Sequence, residues 1–155
     1  MNINFYHCEE NLLKSSALLL LKLIEAKKRF LVLSDGPKEN EELDKFFWSF
    51  AKIKFLPHLT AEDLEKYKAN PLKQPVVISH TAENVSSAKN LVIYQPFNQE
   101  SNKKFLESFE QVFFFFDENN IKEARTFWKK CRDNKQENST LKYFKQEKEG
   151  WAQKE

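Results

Sequence analysis

Residues 30–37 have the sequence FLVLSDGP, in which four apolar residues and a serine lead directly into a turn. A short apolar run without alternation is typical of a parallel strand that is covered on both faces. Asp35, Gly36 and Pro37 favour a turn that ends the strand. This stretch therefore predicts a buried strand of an α/β fold.

Other segments of the chain repeat the same pattern of short apolar runs and amphipathic stretches. Further strands are predicted at residues 3–7, 76–79, 91–94 and 111–116, and helices at residues 11–29, 40–50, 102–109 and 121–132. Alternating strands and helices predict a three-layer α/β sandwich around a mostly parallel sheet of about five strands with right-handed crossovers. The capping-box spacing at residues 60–63 predicts the start of a short additional helix.

The length of 155 residues favours one domain over residues 1–155, because a second independent core has no room. A polar C-terminal tail, about residues 133–155, is expected to pack on this domain or drape over it. The most apolar run, residues 17–21, is far shorter than the ~20 residues of a membrane span, and no signal peptide is visible. We therefore expect a cytoplasmic protein that does not bind membranes.

The composition argues against several classes of catalytic site. The chain contains two glycines, Gly36 and Gly150, too few for a glycine-rich phosphate loop. Two cysteines, Cys8 and Cys131, form neither a disulfide framework nor a metal-ligand spacing. Asp35 ends a strand, as does the ribose-binding acid of nucleotide-binding folds. Such a site also needs a glycine loop after the first strand, and residues 7–10 provide none, so we interpret Asp35 as a turn or helix cap. The sequence predicts a non-catalytic protein without a cofactor or metal.

The last predicted helix separates an apolar arc from a basic arc that contains no acid. The basic arc consists of Lys122, Arg125, Lys129 and Arg132, and Trp128 lies at the border between the two arcs. Residues 121–155 contain 10 Lys and Arg against 6 Asp and Glu, whereas the rest of the chain is net negative. A solvated helix face is one interpretation. The other is a receptor for an acidic, aromatic-containing peptide or for single-stranded nucleic acid.

A second aromatic cluster lies between residues 46 and 55. One helix cannot turn Phe46, Phe47, Trp48 and Phe50 toward the same sheet, so part of this aromatic surface is expected to be exposed. Core packing accounts for most of these rings. Trp48 and Phe55 are the candidates for contact with a protein partner.

Several short motifs resemble, in family order, the chi subunit of bacterial DNA polymerase III. They are NFYH (residues 4–7), LVLS (31–34), LD and FW (43–44 and 47–48), FLPH (55–58), PVVI (75–78), ARxxWK (124–129) and GWxxK (150–154). The resemblance implies a Rossmann-like topology without nucleotide chemistry. It also implies a non-catalytic adaptor in the clamp-loader complex, so that any polymerase label is inherited from the holoenzyme.

The resemblance further implies two partner surfaces. Chi subunits bind the psi subunit, and on a separate surface they hold the acidic C-terminal tail of single-stranded DNA-binding protein, so that DNA is reached only indirectly. The tail-binding residues fall on Arg125, Trp128, Lys129 and Arg132, with Tyr143 as a candidate for the pocket wall. The psi-binding aromatics fall on Trp48 and Phe55. Direct binding of single-stranded nucleic acid by the same basic and aromatic patch remains the alternative.

Overall fold

Eight strands form one sheet in the computed structural model, which describes residues 1–50 and 56–154. They are β1 (Asn2–His7), β2 (Phe30–Leu33), β3 (Leu59–Thr60), β4 (Val76–Ser79), β5 (Asn90–Ile93), β6 (Gln111–Phe116), β7 (Leu141–Glu147) and β8 (Gly150–Lys154). Their order is β3-β4-β2-β5-β6-β1-β7-β8. All neighbouring strands are parallel except β7 and β8, which form an antiparallel pair.

Five α-helices connect the strands in the described part of the chain. They are α1 (Leu12–Glu25), α2 (Pro37–Ser49), α3 (Ala61–Lys66), α4 (Lys103–Glu107) and α5 (Ile121–Asp133). The short helix predicted from residues 60–63 is confirmed as α3, and its cap is the Thr60 side chain, which accepts a hydrogen bond from the Asp63 N–H at 3.1 Å. None of these helices combines the length and the hydropathy that crossing a membrane requires.

The α/β class and the mostly parallel sheet are confirmed, but the predicted number of about five strands was too small. All five predicted strands form, as β1, β2, β4, β5 and β6. The three additional strands lack a continuous apolar run: β3 has only two residues, and β7 and β8 lie in the polar tail. Pairing with β1, rather than hydrophobicity, makes β7 a strand, because it satisfies backbone groups that β1 would otherwise leave open.

Both faces of the sheet are covered by apolar side chains, which explains the continuous apolar runs. Along β6, Val112, Phe114 and Phe116 join one buried cluster, while Phe113 and Phe115 join the other. Side chains of α3, α4 and α5 belong to the first cluster and side chains of α1 and α2 to the second. We call these sides the α5 face and the α1–α2 face.

The helix predicted for residues 11–29 ends earlier, at Glu25. Lys27 adopts a left-handed backbone with φ of 62°, and its N–H donates to the carbonyl of Ile24. Arg29 is then released from the helix. Its guanidinium donates to the carbonyls of Gln74, Pro71 and Ser86, so this arginine fixes loops beside the central strands.

Candidate functional site

A groove of about 510 Å³ lies on the α5 face, where α5 passes the carboxyl ends of β1 and β6. Its aromatic lining consists of Phe5, Phe116, Trp128 and Tyr143, and its cationic lining consists of Arg125, Lys145 and Lys154. The remaining lining residues are His7, Glu118, Ile121 and Ala124. We call this site the α5 groove. It combines rings and cations in the way that the sequence pattern predicted for a receptor of acidic, aromatic-containing ligands.

Trp128 is held at the edge of the core and contributes part of its ring to the groove. The α5 residues Ala124, Phe127 and Cys131 are buried against the sheet, and Trp128 lies half-buried beside them. Its indole makes edge-to-face contacts with Phe5, at 5.0 Å between ring centroids, and with Tyr143, at 5.9 Å. These contacts orient the indole, so the groove has a preformed aromatic wall.

Arg125 lies one turn before Trp128 and is exposed. It lines the α5 groove, yet no carboxylate of residues 1–50 and 56–154 forms an ion pair with it. Five guanidinium N–H donors are therefore presented to solvent beside an aromatic wall. This arrangement suits a carboxylate ligand that brings a ring with it.

The other predicted cations of α5 lie outside the groove. Lys129 and Arg132 are exposed on the helix surface, and Arg132 Nε lies 3.8 Å from Oδ1 of its neighbour Asp133. Lys122 lines a larger depression, of about 860 Å³, between α5 and the loop at residues 96–100. That depression also contains Lys130, Glu100 and Glu123, so its lining has as many carboxylates as cations, whereas the lining of the α5 groove has an excess of cations.

Tyr143 is the predicted wall residue from the tail, and β7 places it in the groove. Its hydroxyl oxygen lies 2.8 Å from Nδ1 of His7. Burial raises the pKa of the Tyr143 hydroxyl, Arg125 lowers it, and Glu118 and Glu9 raise it further. With the pKa raised overall, the hydroxyl keeps its proton at neutral pH and is available as a donor.

His7 ends β1 and was not predicted as part of the site. Its buried ring stacks on Phe116, with centroids 5.0 Å apart, and its Nε2 lies 3.0 Å from Glu118 Oε1. The two atoms are close enough for an ion pair but are not aligned for a hydrogen bond. The Glu118 side chain that approaches this nitrogen is 72% exposed.

Two lysines on the opposite wall were also missed by sequence reasoning. Lys145 Nζ lies 3.3 Å from Glu9 Oε1, and Lys154 Nζ lies 3.0 Å from Glu147 Oε1. All four side chains are roughly half exposed, and ion pairs of this kind contribute little to stability. The signals in the sequence were the position of Lys145 directly after Phe144 and the presence of Lys154 in the GWxxK motif.

One group in the described part of the chain has the donor types of a metal site. Donor atoms of His7, Glu9 and Glu118 lie within 4.8 Å of one another. However, the Lys145 ammonium already pairs with Glu9, and Tyr143 with His7. Because further cations line the same groove, we assign no metal ion to this group.

The predicted psi-binding pair lies elsewhere on the molecule. Trp48 is 54% exposed near the end of α2, on the α1–α2 face, and its ring centroid is 4.9 Å from that of the buried His58. His58 Nε2 in turn lies 3.0 Å from Asp44 Oδ1. Phe55 lies outside the described residues. Trp48 thus belongs to α2, which contacts β3 and β4 at one end of the strand order, whereas the α5 groove lies at β1, β6 and β7 toward the other end.

Comparisons with known proteins point to one family. The family model described as "DNA polymerase III chi subunit, HolC" matches residues 1–138. A curated relative, the probable DNA polymerase III subunit chi of Rickettsia prowazekii (strain Madrid E), is 29% identical over 94 residues. That alignment covers 60% of this chain and 54% of the relative, so it spans about half of the relative's length.

A solved structure shares the fold at low sequence identity. The C-terminal domain of S. cerevisiae Dbp5, in a structure with bound Gle1 and IP6, is similar with a TM-score of 0.51 and 10% identity. The similarity covers 90% of this chain and 88% of that one, and it concerns the fold alone. The family match ends before β7, so Tyr143, Lys145 and Lys154 lie outside the matched residues.

Proposed function

Because the chain belongs to the DNA polymerase III chi subunit family, we propose that it is a non-catalytic adaptor of the replication machinery. In this proposal the α5 groove holds the acidic C-terminal tail of single-stranded DNA-binding protein, and a second surface binds psi, which links the chain to the clamp loader. The observation that carries the proposal is Arg125, which has no carboxylate partner in the described part of the chain and stands beside the oriented indole of Trp128.

Arg125 and Trp128 suit the two chemical groups at the end of such a tail. The guanidinium of Arg125 is able to bind the free terminal carboxylate with two parallel hydrogen bonds. The terminal aromatic side chain then packs against Trp128 and the neighbouring rings of the groove. Since Arg125 has no ion pair to break within the described residues, its charge is available to the ligand without rearrangement.

The second wall of the groove suits the acidic residues that precede the terminus. Lys145 and Lys154 face the groove, and each already pairs with an exposed carboxylate. Exchanging an exposed pair for a ligand carboxylate changes the free energy little, because both states are solvated. These lysines are therefore available to ligand carboxylates at little cost, while Lys129 and Arg132 add positive potential along α5.

The affinity expected from these contacts is moderate. Burial of one aromatic side chain and a few charged hydrogen bonds, less the ordering of a disordered tail, leaves about −7 to −8 kcal/mol, or a micromolar dissociation constant. Such binding weakens as salt concentration rises, since most of the charged contacts are exposed.

The position of Trp48 supports simultaneous binding of two partners. Trp48 lies on the α1–α2 face, and the α5 groove lies on the opposite face of the sheet. A protein bound over Trp48 leaves the α5 groove open. An adaptor that joins psi to single-stranded DNA-binding protein requires this kind of separation.

Direct binding of single-stranded nucleic acid is the second candidate function. Rings beside cations are also the pattern of proteins that stack bases and contact phosphates. Glu118 lines the same groove, and Glu9 and Glu147 lie beside its lysines. These carboxylates repel any anionic ligand, but Arg125 beside the oriented indole of Trp128 suits a terminal carboxylate that carries a ring. A phosphate backbone has no such terminus, so the peptide is the favoured ligand.

Fluorescence anisotropy with a labelled acidic peptide that ends in Pro-Phe tests the proposal. Arg125→Ala is expected to weaken binding at least about tenfold, because the terminal carboxylate loses its main partner. Lys73→Ala is the matched control, since it removes one exposed positive charge from the segment before β4, away from the groove. Equal affinity of Arg125→Ala and wild type would refute the site.

A labelled oligothymidine, titrated in parallel, separates the two candidates. The adaptor proposal predicts that the peptide binds more tightly than the oligonucleotide at the same salt concentration. Tighter oligonucleotide binding, with a steep dependence on salt and a loss in Arg125→Ala, would favour the nucleic-acid function instead.

A further inference from the structure

His7 connects Tyr143 with Glu118 at the base of the α5 groove. Its Nδ1 lies 2.8 Å from the Tyr143 hydroxyl and its Nε2 lies 3.0 Å from Glu118 Oε1. The His7 side chain is 6% exposed, whereas Tyr143 is half-buried and borders the groove. The Tyr143 hydroxyl thus links the buried imidazole to the more accessible part of the groove.

The position of the proton in neutral His7 follows from its two neighbours. Glu118 Oε1 lies 3.0 Å from Nε2 without an aligned hydrogen bond, but its negative charge attracts an N–H group and so favours the tautomer with the proton on Nε2. Nδ1 then has a lone pair and accepts a hydrogen bond from the Tyr143 hydroxyl. In this state the hydroxyl hydrogen points toward His7, and the groove meets only the oxygen lone pairs, which repel an anionic ligand.

Protonation of His7 reverses this arrangement. Both ring nitrogens then carry hydrogen, so Nδ1 donates to the Tyr143 oxygen. The hydroxyl hydrogen is released from His7 and can be donated to a ligand in the groove. The raised pKa of Tyr143 is consistent with this role, because the hydroxyl keeps its proton in both states.

We propose that His7 is a positioning residue that sets the direction of the Tyr143 hydroxyl, and that binding of a carboxylate-bearing ligand in the α5 groove takes up a proton at His7. This inference rests on the proposed function, since it concerns the same ligand and the same groove. Through His7 and Tyr143, binding of a negatively charged ligand is thereby coupled to protonation of His7.

The charges around His7 support proton uptake in the bound state. Two carboxylates lie near His7, on Glu118 after β6 and on Glu9 after β1. Three cations line the same groove: Arg125 on α5, Lys145 on β7 and Lys154 on β8. An anionic ligand neutralises these cations, so a positive charge at His7 meets less repulsion in the bound state. By reciprocity, protonation of His7 strengthens ligand binding.

Titration calorimetry with the acidic peptide ending in Pro-Phe measures this coupling directly. Titrations at about pH 7 in PIPES and in imidazole, which differ in heat of ionisation, report the number of protons taken up. Wild-type protein is expected to take up a fraction of one proton. The dissociation constant of its complex with the peptide is expected to fall about 3- to 10-fold when the pH is lowered from about 8 to about 6. Uptake of one full proton would change this constant by at most about tenfold per pH unit.

Two variants distinguish the coupling from a purely structural role. His7→Gln is expected to bind without proton uptake and with a flat pH profile. Tyr143→Phe is expected to show a flatter pH profile than wild type, because it lacks only the hydroxyl that protonation of His7 redirects toward the ligand. Lys73→Ala should keep the wild-type profile. If His7→Gln does not fold, as judged by circular dichroism, Tyr143→Phe carries the test.

The outcomes separate this inference from the proposed function. A wild-type protein that binds the peptide with equal heats in the two buffers overturns the proton coupling and leaves the groove proposal standing. Wild-type proton uptake that persists in His7→Gln, or a wild-type pH profile in Tyr143→Phe, also overturns it. A wild-type protein that does not bind the peptide overturns the proposed function and this inference together.

Discussion

Arg125 differs from the other two arginines of the chain in what surrounds its guanidinium. Arg29 donates to three backbone carbonyls and is a structural residue. Arg132 lies near Asp133 on the exposed surface. Arg125 alone among the three lines the groove with the oriented indole of Trp128. At the scale of single residues, this combination is the basis of the proposed docking site.

Arg125→Lys separates the charge of this residue from its geometry. Lysine keeps the positive charge but cannot offer two parallel N–H donors to one carboxylate. We expect Arg125→Lys to bind the acidic peptide about 3- to 10-fold more weakly than wild type, a loss of roughly 1 kcal/mol. Its affinity should then lie between those of wild type and Arg125→Ala. Anisotropy titrations of the three proteins check this order, and wild-type affinity in Arg125→Lys would show that only charge matters.

Sequence reasoning found one wall of the groove and missed the other. Arg125 and Trp128 were predicted from helical periodicity, because both lie on one helix and their spacing fixes their relative position. His7, Lys145 and Lys154 come from three different strands. Their proximity depends on the strand order and register of the sheet, which no local pattern in the sequence specifies.

The start of α5 controls how the groove residues of this element are presented. Asp117 follows β6, and its side chain accepts a hydrogen bond from the Asn119 N–H at 2.9 Å. The Asn120 side chain in turn accepts a hydrogen bond from the Asp117 N–H at 3.0 Å. This reciprocal cap opens the turn that leads from the sheet into α5 and carries Glu118 toward His7.

Asp117→Ala removes the side-chain half of this cap. We expect the free energy of unfolding to fall by about 1 kcal/mol, as for other lost helix caps, and urea denaturation measures it. Asp117→Asn is the matched control, because asparagine caps as well as aspartate does. A destabilisation of the same size in both variants would show that charge, rather than capping, is responsible.

The hairpin of β7 and β8 is the element that sequence patterns predicted least well. Its strands are only partly buried, and charged residues interrupt them, so hydrophobic periodicity is weak. Two of its aromatic side chains, Phe144 and Trp151, nevertheless pack on the α1–α2 face. Tyr6 stacks on Phe144 at 4.8 Å between ring centroids and meets the edge of Trp151 at 5.1 Å.

Trp151→Ala tests whether these contacts attach the hairpin to the sheet. We expect a loss of about 2–3 kcal/mol in the free energy of unfolding, less than the roughly 3–5 kcal/mol of a fully buried aromatic residue, because Trp151 is only half-buried. Gln153→Ala, an exposed position on the same strand, is the control. Equal urea denaturation curves for Trp151→Ala and wild type would contradict this packing role.

For the molecule as a whole, the buried core contains thiols that affect stability at high pH. Burial raises the pKa of both Cys8 and Cys131 from 9.0 to about 12. The unfolded chain therefore loses thiol protons from about pH 9, while the folded chain keeps them. The stability contributed by the protonated thiols is complete below about pH 9 and declines as the pH rises toward 12.

The expected consequence is a fall in the free energy of unfolding between about pH 8 and pH 10, under reducing conditions. The upper bound is about 1.4 kcal/mol per pH unit for each thiol. Urea denaturation across this range measures the slope, and the double variant Cys8→Ala, Cys131→Ala should show a shallower one. An unchanged slope in the double variant would assign the dependence to other groups.

The separation of the two proposed surfaces is a second property of the whole molecule, and it can be followed through the tryptophan side chains. The three tryptophans of the chain mark its different parts: Trp128 in the α5 groove, Trp48 on α2, and Trp151 packed on the α1–α2 face. Each provides one indole N–H signal in a nitrogen-15 spectrum, and single Trp→Phe variants assign the signals.

Titration of the labelled protein with the acidic peptide ending in Pro-Phe, followed through these three signals, tests the central claim most directly. We predict that the chemical shift of the Trp128 signal changes with added peptide and reaches a plateau as the protein is saturated. The Trp48 and Trp151 signals stay close to their positions in the free protein. A Trp128 signal that stays unchanged while Trp48 or Trp151 shifts would contradict the assignment of the α5 groove as the docking site.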